Sequence, residues 1–210
     1  MYLNQKDIEE VDRIKRLNII NSITGIKSAN LIATISDNGI TNVAIFSSVF
    51  HLGSNPALLG FIMRPAHNSR RDTYNNIKSN GCFTINNVHK DFFKNAHFTS
   101  AHFKENESEF KHCDLKEEFL VKFPAPFVAE SNLKIALETV EEIEIKSNKS
   151  VIIIGSVKHI FYPDIIESET GQLDLELLKS IGIGGLDTYY QLEKIGKLPF
   201  ARVSDSKLFI

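Results

Sequence analysis

Asp37-Asn38-Gly39 stands between two β-prone runs, residues 31–36 and 41–48. Asn and Gly both tolerate the positive φ that a tight two-strand turn demands, so this stretch predicts an antiparallel hairpin. Its surroundings are of the same kind. Residues 57–63, after the break at Asn55-Pro56, carry Leu58, Leu59, Phe61 and Ile62 in one continuous apolar run. Such a run predicts a strand buried on both faces. Residues 82–88 predict a further strand. Residues 133–145 and 151–162 predict a long hairpin around Ser147-Asn148-Lys149-Ser150, rich in β-branched residues, with Ile135, Leu137 and Thr139 alternating against charged or small neighbours. Six or so strands with few long helices fit a small barrel or sandwich rather than a parallel doubly wound sheet.

The helices are peripheral. Ile8, Val11, Ile14, Leu17 and Ile19 fall close to a helical period, which predicts an amphipathic helix over about residues 7–21. A short helix over about 72–80 has Asp72 or Thr73 to cap it and Gly81 to end it. Residues 90–118 are polar and aromatic, with His97, His102 and His112 scattered through them, and read as irregular helices covering the barrel. The tail predicts a short helix at about 174–180 and a glycine-rich turn at Gly182-Ile183-Gly184-Gly185. No repeat or linker interrupts the 210 residues, so the expected organisation is one domain, mainly β with α. It divides into an N-terminal helix (1–21), a barrel (22–165) with a helical insert at about 90–118, and a C-terminal extension (166–210).

A net charge of −2 supplies no overall field to recruit nucleic acid or an anionic membrane, so a bound anion must be held by a local cluster. Cys82 and Cys113 have no C-x-x-C spacing and make neither a disulfide framework nor a zinc site; Cys82, opening an apolar run, reads as a small core residue. The start of the chain lacks a basic stretch followed by an apolar one, and no apolar run approaches the ~20 residues that cross a bilayer. The expected compartment is the reducing cytoplasm.

Three segments carry chemistry. Thr41-Asn42-Val43-Ala44-Ile45-Phe46-Ser47-Ser48-Val49-Phe50 sets two hydroxyls at the end of an apolar strand, with a side-chain amide near its start. Ser69-Arg70-Arg71-Asp72-Thr73-Tyr74 places paired guanidinium groups just before a helix N-terminus, where free N–H groups and the positive dipole end favour phosphate. Gly184-Gly185-Leu186-Asp187-Thr188-Tyr189-Tyr190 is a flexible turn ending in two aromatics. Each alone has a plainer reading as turn chemistry, solvated surface charge or core packing. Their occurrence together, in this order, is the informative feature.

That order resembles the flavin-reductase-like family of FMN-binding split-barrel proteins. The matching pieces are Gly25-Ile26-Lys27-Ser28, Asn42 through Ser48, Asn55-Pro56-Ala57-Leu58-Leu59-Gly60-Phe61, Arg71 through Ile77, and Gly81-Cys82-Phe83-Thr84-Ile85-Asn86. The resemblance implies a homodimer with FMN in a groove between two barrels. It also implies hydride transfer from NAD(P)H to the flavin N5 and onward to a small-molecule electron acceptor. By the same resemblance, Ser47 and Ser48 hydrogen-bond the phosphate or ribityl chain, and the backbone of Ser48, Val49 and Phe50 borders the isoalloxazine. Arg71, helped by Arg70 and Thr73, neutralises the phosphate. Asn42 and Lys27 stand at the polar rim, and Tyr189 and Tyr190 lie near the flavin or across the dimer interface. No side chain is obliged to act as acid or base, because the cofactor carries the chemistry; His51 is a candidate to tune the ring. FMN is favoured over FAD because no G-x-G-x-x-G fingerprint follows a strand.

Three rivals differ in what they require. A non-catalytic FMN sensor or carrier on the same fold would hold FMN without oxidising NAD(P)H. A metal-dependent hydrolase would need histidine spacings such as H-E-x-x-H, which are absent. A nucleic-acid-binding barrel would need a basic stripe, and the charge is balanced.

Overall fold

A computed structural model describes residues 1–65, 71–104 and 106–202. Two helices, α1 (Gln5–Glu10) and α2 (Arg13–Ser22), stand where one was expected. Val11 takes extended backbone and ends α1; the Asp12 carboxylate then accepts from the N–H groups of Ile14 (2.9 Å) and Lys15 (3.1 Å) and starts α2. Neither helix contains a buried residue. The strands that follow are β1 (Lys27–Ser28), β2 (Asn30–Ile35), β3 (Thr41–Phe46), β4 (Phe50–Ser54) and β5 (Ala57–Met63). Helix α3 (Asp72–Asn80) leads to β6 (Cys82–Asn87), and the insert contributes α4 (Phe93–Phe98) and α5 (Glu109–His112). After β7 (Glu117–Glu118) and β8 (Phe127–Val128) come the long strands β9 (Lys134–Ile145) and β10 (Ser150–Phe161), then β11 (Ile181–Gly184) and β12 (Thr188–Gln191). Among the described residues, no helix is long and apolar enough to cross a membrane.

Seven strands make one antiparallel sheet in the order β3-β2-β6-β9-β10-β5-β4, and β1-β11-β12 make a second. The large sheet curls around Ile32, Phe61, Phe83, Ile85, Leu137 and Ile153, all essentially excluded from solvent. Phe61 meets Phe46 and Phe83 edge-to-face, with centroids 5.2 and 5.4 Å away. Burial on this scale is worth roughly 1.5–3 kcal/mol per large side chain, so this cluster holds the curl. Curvature has a local cause as well. The β9–β10 register slips between Ile154 and Gly155, and a Cβ on Gly155 would lie 2.7 Å from the Phe83 ring. A second cluster, including Leu31, Val43, Phe110 and Ile183, fills the space between β2, β3, β11 and the insert helices.

Several expectations need correcting. Residues 50–54 form β4, an unforeseen strand, and Asn55-Pro56 is the turn joining it to β5 rather than a simple break. Strand β5 is not buried on both faces: Ile62 is exposed while Phe61 is not. Neither Asp72 nor Thr73 caps α3; Arg71 occupies the cap position. Residues 175–179 are turns rather than a helix, with the Asp174 carboxylate taking the N–H groups of Glu176 and Leu177. Gly182, Ile183 and Gly184 lie in β11, and the turn begins only at Gly185, whose φ is +68°. Gly182 belongs in a strand because Ile26 packs where its side chain would stand, 2.1 Å from an ideal Cβ.

Candidate flavin site

The predicted phosphate-binding segment sits where three elements converge. Strand β3 ends at Phe46 and turns through Ser47 and Ser48, beside the C-terminal end of β5. The Ser48 hydroxyl accepts from the Ile62 N–H and faces the Ile62 carbonyl, both at 3.2 Å. It therefore extends the β4–β5 ladder beyond the Phe50–Gly60 pair with a side chain in place of backbone. Phe50 lies across Gly60, whose ideal Cβ would stand 2.6 Å from the ring. Val49 is half-buried against the barrel core.

Helix α3 starts from the same corner. Arg71 donates through Nη2 to the Pro65 carbonyl, two residues past β5 (2.9 Å), while its Nε is buried with no partner among the described residues. Arginine has donors only, so at the cap position it cannot satisfy the first-turn N–H groups of α3. A buried guanidinium N–H and an uncapped helix start share one requirement, an acceptor-rich anion. A phosphate meets it, so the residues present fit the phosphate of a flavin nucleotide.

The start of α3 is fixed by buried polar side chains. Asn42 donates to the Thr73 hydroxyl (2.9 Å), and Asn76 donates to Thr34 on β2 (3.0 Å). Asn42, Thr73, Asn76 and Thr34 are all buried. Asn42, expected at the rim of the site, and Thr73, expected to help Arg71 with the phosphate, are thus occupied in holding the helix against the sheet. Lys27 is also engaged: its ammonium donates to the Asn21 carbonyl (3.0 Å) and the Thr24 hydroxyl (2.9 Å) near the C-terminal end of α2. The Asn21 side chain accepts from Arg64 (3.3 Å). Arg64 is a cation that no motif in the sequence singles out; its place directly after β5 was the available signal. Arg70 lies outside the described residues.

The two tyrosines diverge, as neighbours on a strand must. Tyr189 packs on Phe93 (centroids 5.2 Å apart) and its hydroxyl meets His97 Nδ1 at 2.9 Å. Burial, with a smaller contribution from the Asp187 charge, pushes its phenol up to about 12. Tyr190 is exposed and lies over Gly184, beside a cleft between α2 and the β11–β12 turn. The structure thus gathers Asn42, Ser48, Arg71 and Thr73 at one corner of the barrel and sets Tyr189 and Tyr190 on the smaller sheet. His51 is exposed on β4. Glu109, buried on α5, receives the Val43 N–H along the free edge of β3 (3.3 Å). Among the described residues, His, Cys, Asp and Glu form no group of three that would hold a metal ion.

The flavin reductase like domain family matches residues 26–175. A crystal structure of a candidate flavin reductase with a split barrel domain from Shewanella frigidimarina superposes with a TM-score of 0.92 at 40% identity, covering 96% of this chain and all of that one. An uncharacterised protein of Methanothermobacter thermautotrophicus is 32% identical over 149 residues, 69% of this chain and 68% of its own length. The fold also matches nitrilotriacetate monooxygenase component B from Bacillus cereus, with a TM-score of 0.83 at 20% identity over 94% of this chain and 98% of that one. With its uncapped, arginine-led helix at the barrel corner, the chain belongs to the flavin reductase like family and has that family's split-barrel fold.

Proposed function

We propose that this protein binds FMN non-covalently, as a homodimer with the flavin between two barrels, and transfers hydride from NAD(P)H to the flavin and on to a small-molecule acceptor. The observation that carries the reading is Arg71, whose buried Nε is unanswered among the described residues at the start of α3, where no side chain caps the helix. Arg71 and the first-turn N–H groups would hold the phosphate. Arg64 and the backbone of residues 48–50 would border the rest of the nucleotide. FMN is preferred to FAD because the site offers one anion-binding corner and no glycine fingerprint for a pyrophosphate. When bound, the flavin supplies the two-electron chemistry. The chain positions it, excludes water with Val49 and Phe50, and through the Asn42–Thr73 bond keeps Arg71 in register with β3.

The test is the visible spectrum of the purified protein, with the released cofactor identified by mass. A yellow protein releasing FMN and bleached anaerobically by NADH or NADPH is the expected result. FMN that neither nucleotide reduces would leave a carrier or sensor. A protein that stays colourless when FMN is added overturns the reading.

A further inference from the structure

Two apolar surfaces have no cover among the described residues. The first is the arm that follows β12: residues 192–202 are neither helix nor strand, and Ile195, Leu198 and Phe200 are 101%, 75% and 88% exposed. The second is the cleft of about 330 Å³ between α2 and the β11–β12 turn, whose apolar walls are the exposed side chains of Ile26, Leu186 and Tyr190. Glycines shape it. Gly184 leaves room for the Tyr190 ring, which lies 2.7 Å from an ideal Cβ position, and an ideal Cβ on Gly185 would stand 3.3 Å from the Ser22 hydroxyl. Ile23, at the end of α2, is 70% exposed and continues the apolar surface.

We propose that this cleft is the receptor for the C-terminal arm of a second copy of the chain, with residues 195–200 exchanged reciprocally about a two-fold axis. The inference rests on the homodimer of the preceding section. Three features select a second copy. The arm leaves the Gln191 end of β12, and Lys194 pairs with Asp174 (3.1 Å), away from the Thr188 end where the cleft opens. A tethered segment enjoys an effective concentration of order mM toward any reachable surface of its own chain, yet Ile195, Leu198 and Phe200 stay exposed among the described residues. Charge is complementary too: Asp187 stands at the cleft, while after Glu193 the described arm carries only the cations Lys194, Lys197 and Arg202. The area suffices. Three large side chains at roughly 150 Å² each, with matching cover, remove on the order of 1,800 Å² over two exchanges, the size of a stable interface. An isologous exchange covers both surfaces at once.

The test is interchain cross-linking of the full-length protein. Both native thiols are buried, and burial with the nearby Glu109 charge pushes Cys113 up to about 11, so introduced cysteines react selectively. Leu198→Cys co-expressed with Ile23→Cys, and separately with Leu186→Cys, should give a covalent dimer under mild oxidation. The doubly substituted chain should give the same dimer, and a variant ending at Gln191 should dimerise at least ten-fold more weakly by sedimentation. An intrachain loop in the doubly substituted chain, or no cross-link with either partner, overturns the exchange. If the wild type is nevertheless dimeric, the homodimer stands without it. A monomeric wild type removes both, and FMN binding, read separately from the spectrum, is untouched by any of these outcomes.

Discussion

The barrel corner and the periphery invert each other's usual chemistry. At the corner, polar side chains are buried and answered: Asn42 by Thr73 and Asn76 by Thr34. At the periphery, large apolar side chains on α2, the β11–β12 turn and the arm stand in solvent. Buried polar groups and exposed apolar ones are the two informative exceptions to ordinary burial, and they teach different things. The first fixes a geometry from within, at the cost of needing every hydrogen bond. The second marks geometry that is completed from outside.

Substitutions can break this contrast at either end. The largest effect belongs to neither: Phe61→Ala, in the middle of the barrel, should cost about 3–5 kcal/mol in denaturant unfolding and calibrates the fold itself. Arg71→Ala should weaken FMN binding by roughly 1.5–3 kcal/mol with little change in thermal midpoint, as read by flavin fluorescence titration. Unchanged affinity would remove Arg71 from the site. Asn42→Ala strands the buried Thr73 hydroxyl and should destabilise by about 1–3 kcal/mol, lowering the melting temperature by roughly 2–12 °C. If it does not, the corner is less rigidly specified than its hydrogen bonds suggest. At alkaline pH the Tyr189 phenol, pushed up to about 12 from an ordinary 10.0, keeps a proton that the unfolded chain has lost. Its stabilisation is whole below pH 10 and declines as pH rises toward 12, a slope that Tyr189→Phe should make shallower in pH-dependent unfolding. Phe200→Ser should do least, changing protomer stability by under about 0.5 kcal/mol, because its ring rests on nothing in its own chain.

Much of this was legible where local chemistry and tertiary need coincide. Asn38-Gly39 turns the β2–β3 hairpin, residues 57–63 are β5 to the residue, and α3 ends at Gly81 in the left-handed region, as the sequence predicts. Strand β4 was missed because Phe-His-Leu-Gly-Ser has neither the apolar continuity nor the alternation of a buried strand, and forms by pairing with β5. Gly182 and Gly184 looked like turn residues; the side chains that need their emptiness, Ile26 and Tyr190, lie far along the chain or on the next strand. The arginine pair was visible, but the orphaned Nε depends on Pro65 and on burial. Arg64 entered only through Asn21, a contact no spacing announces.

The order of the large sheet carries a kinetic consequence. Hairpins β2–β3, β4–β5 and β9–β10 join near neighbours and can form early and alone. The remaining rungs join Asn30 to Asn87, Asn86 to Lys134 and Met63 to Val151, each closing a long stretch of chain. Loop-closure entropy must be met before those pairings return anything, which sets assembly on the order of milliseconds to seconds rather than microseconds. In that interval the free edge of β3 waits for Glu109 and the edges of β5 and β6 wait for β10 and β9, so the nascent chain stays open to misassembly until the long hairpin has been made.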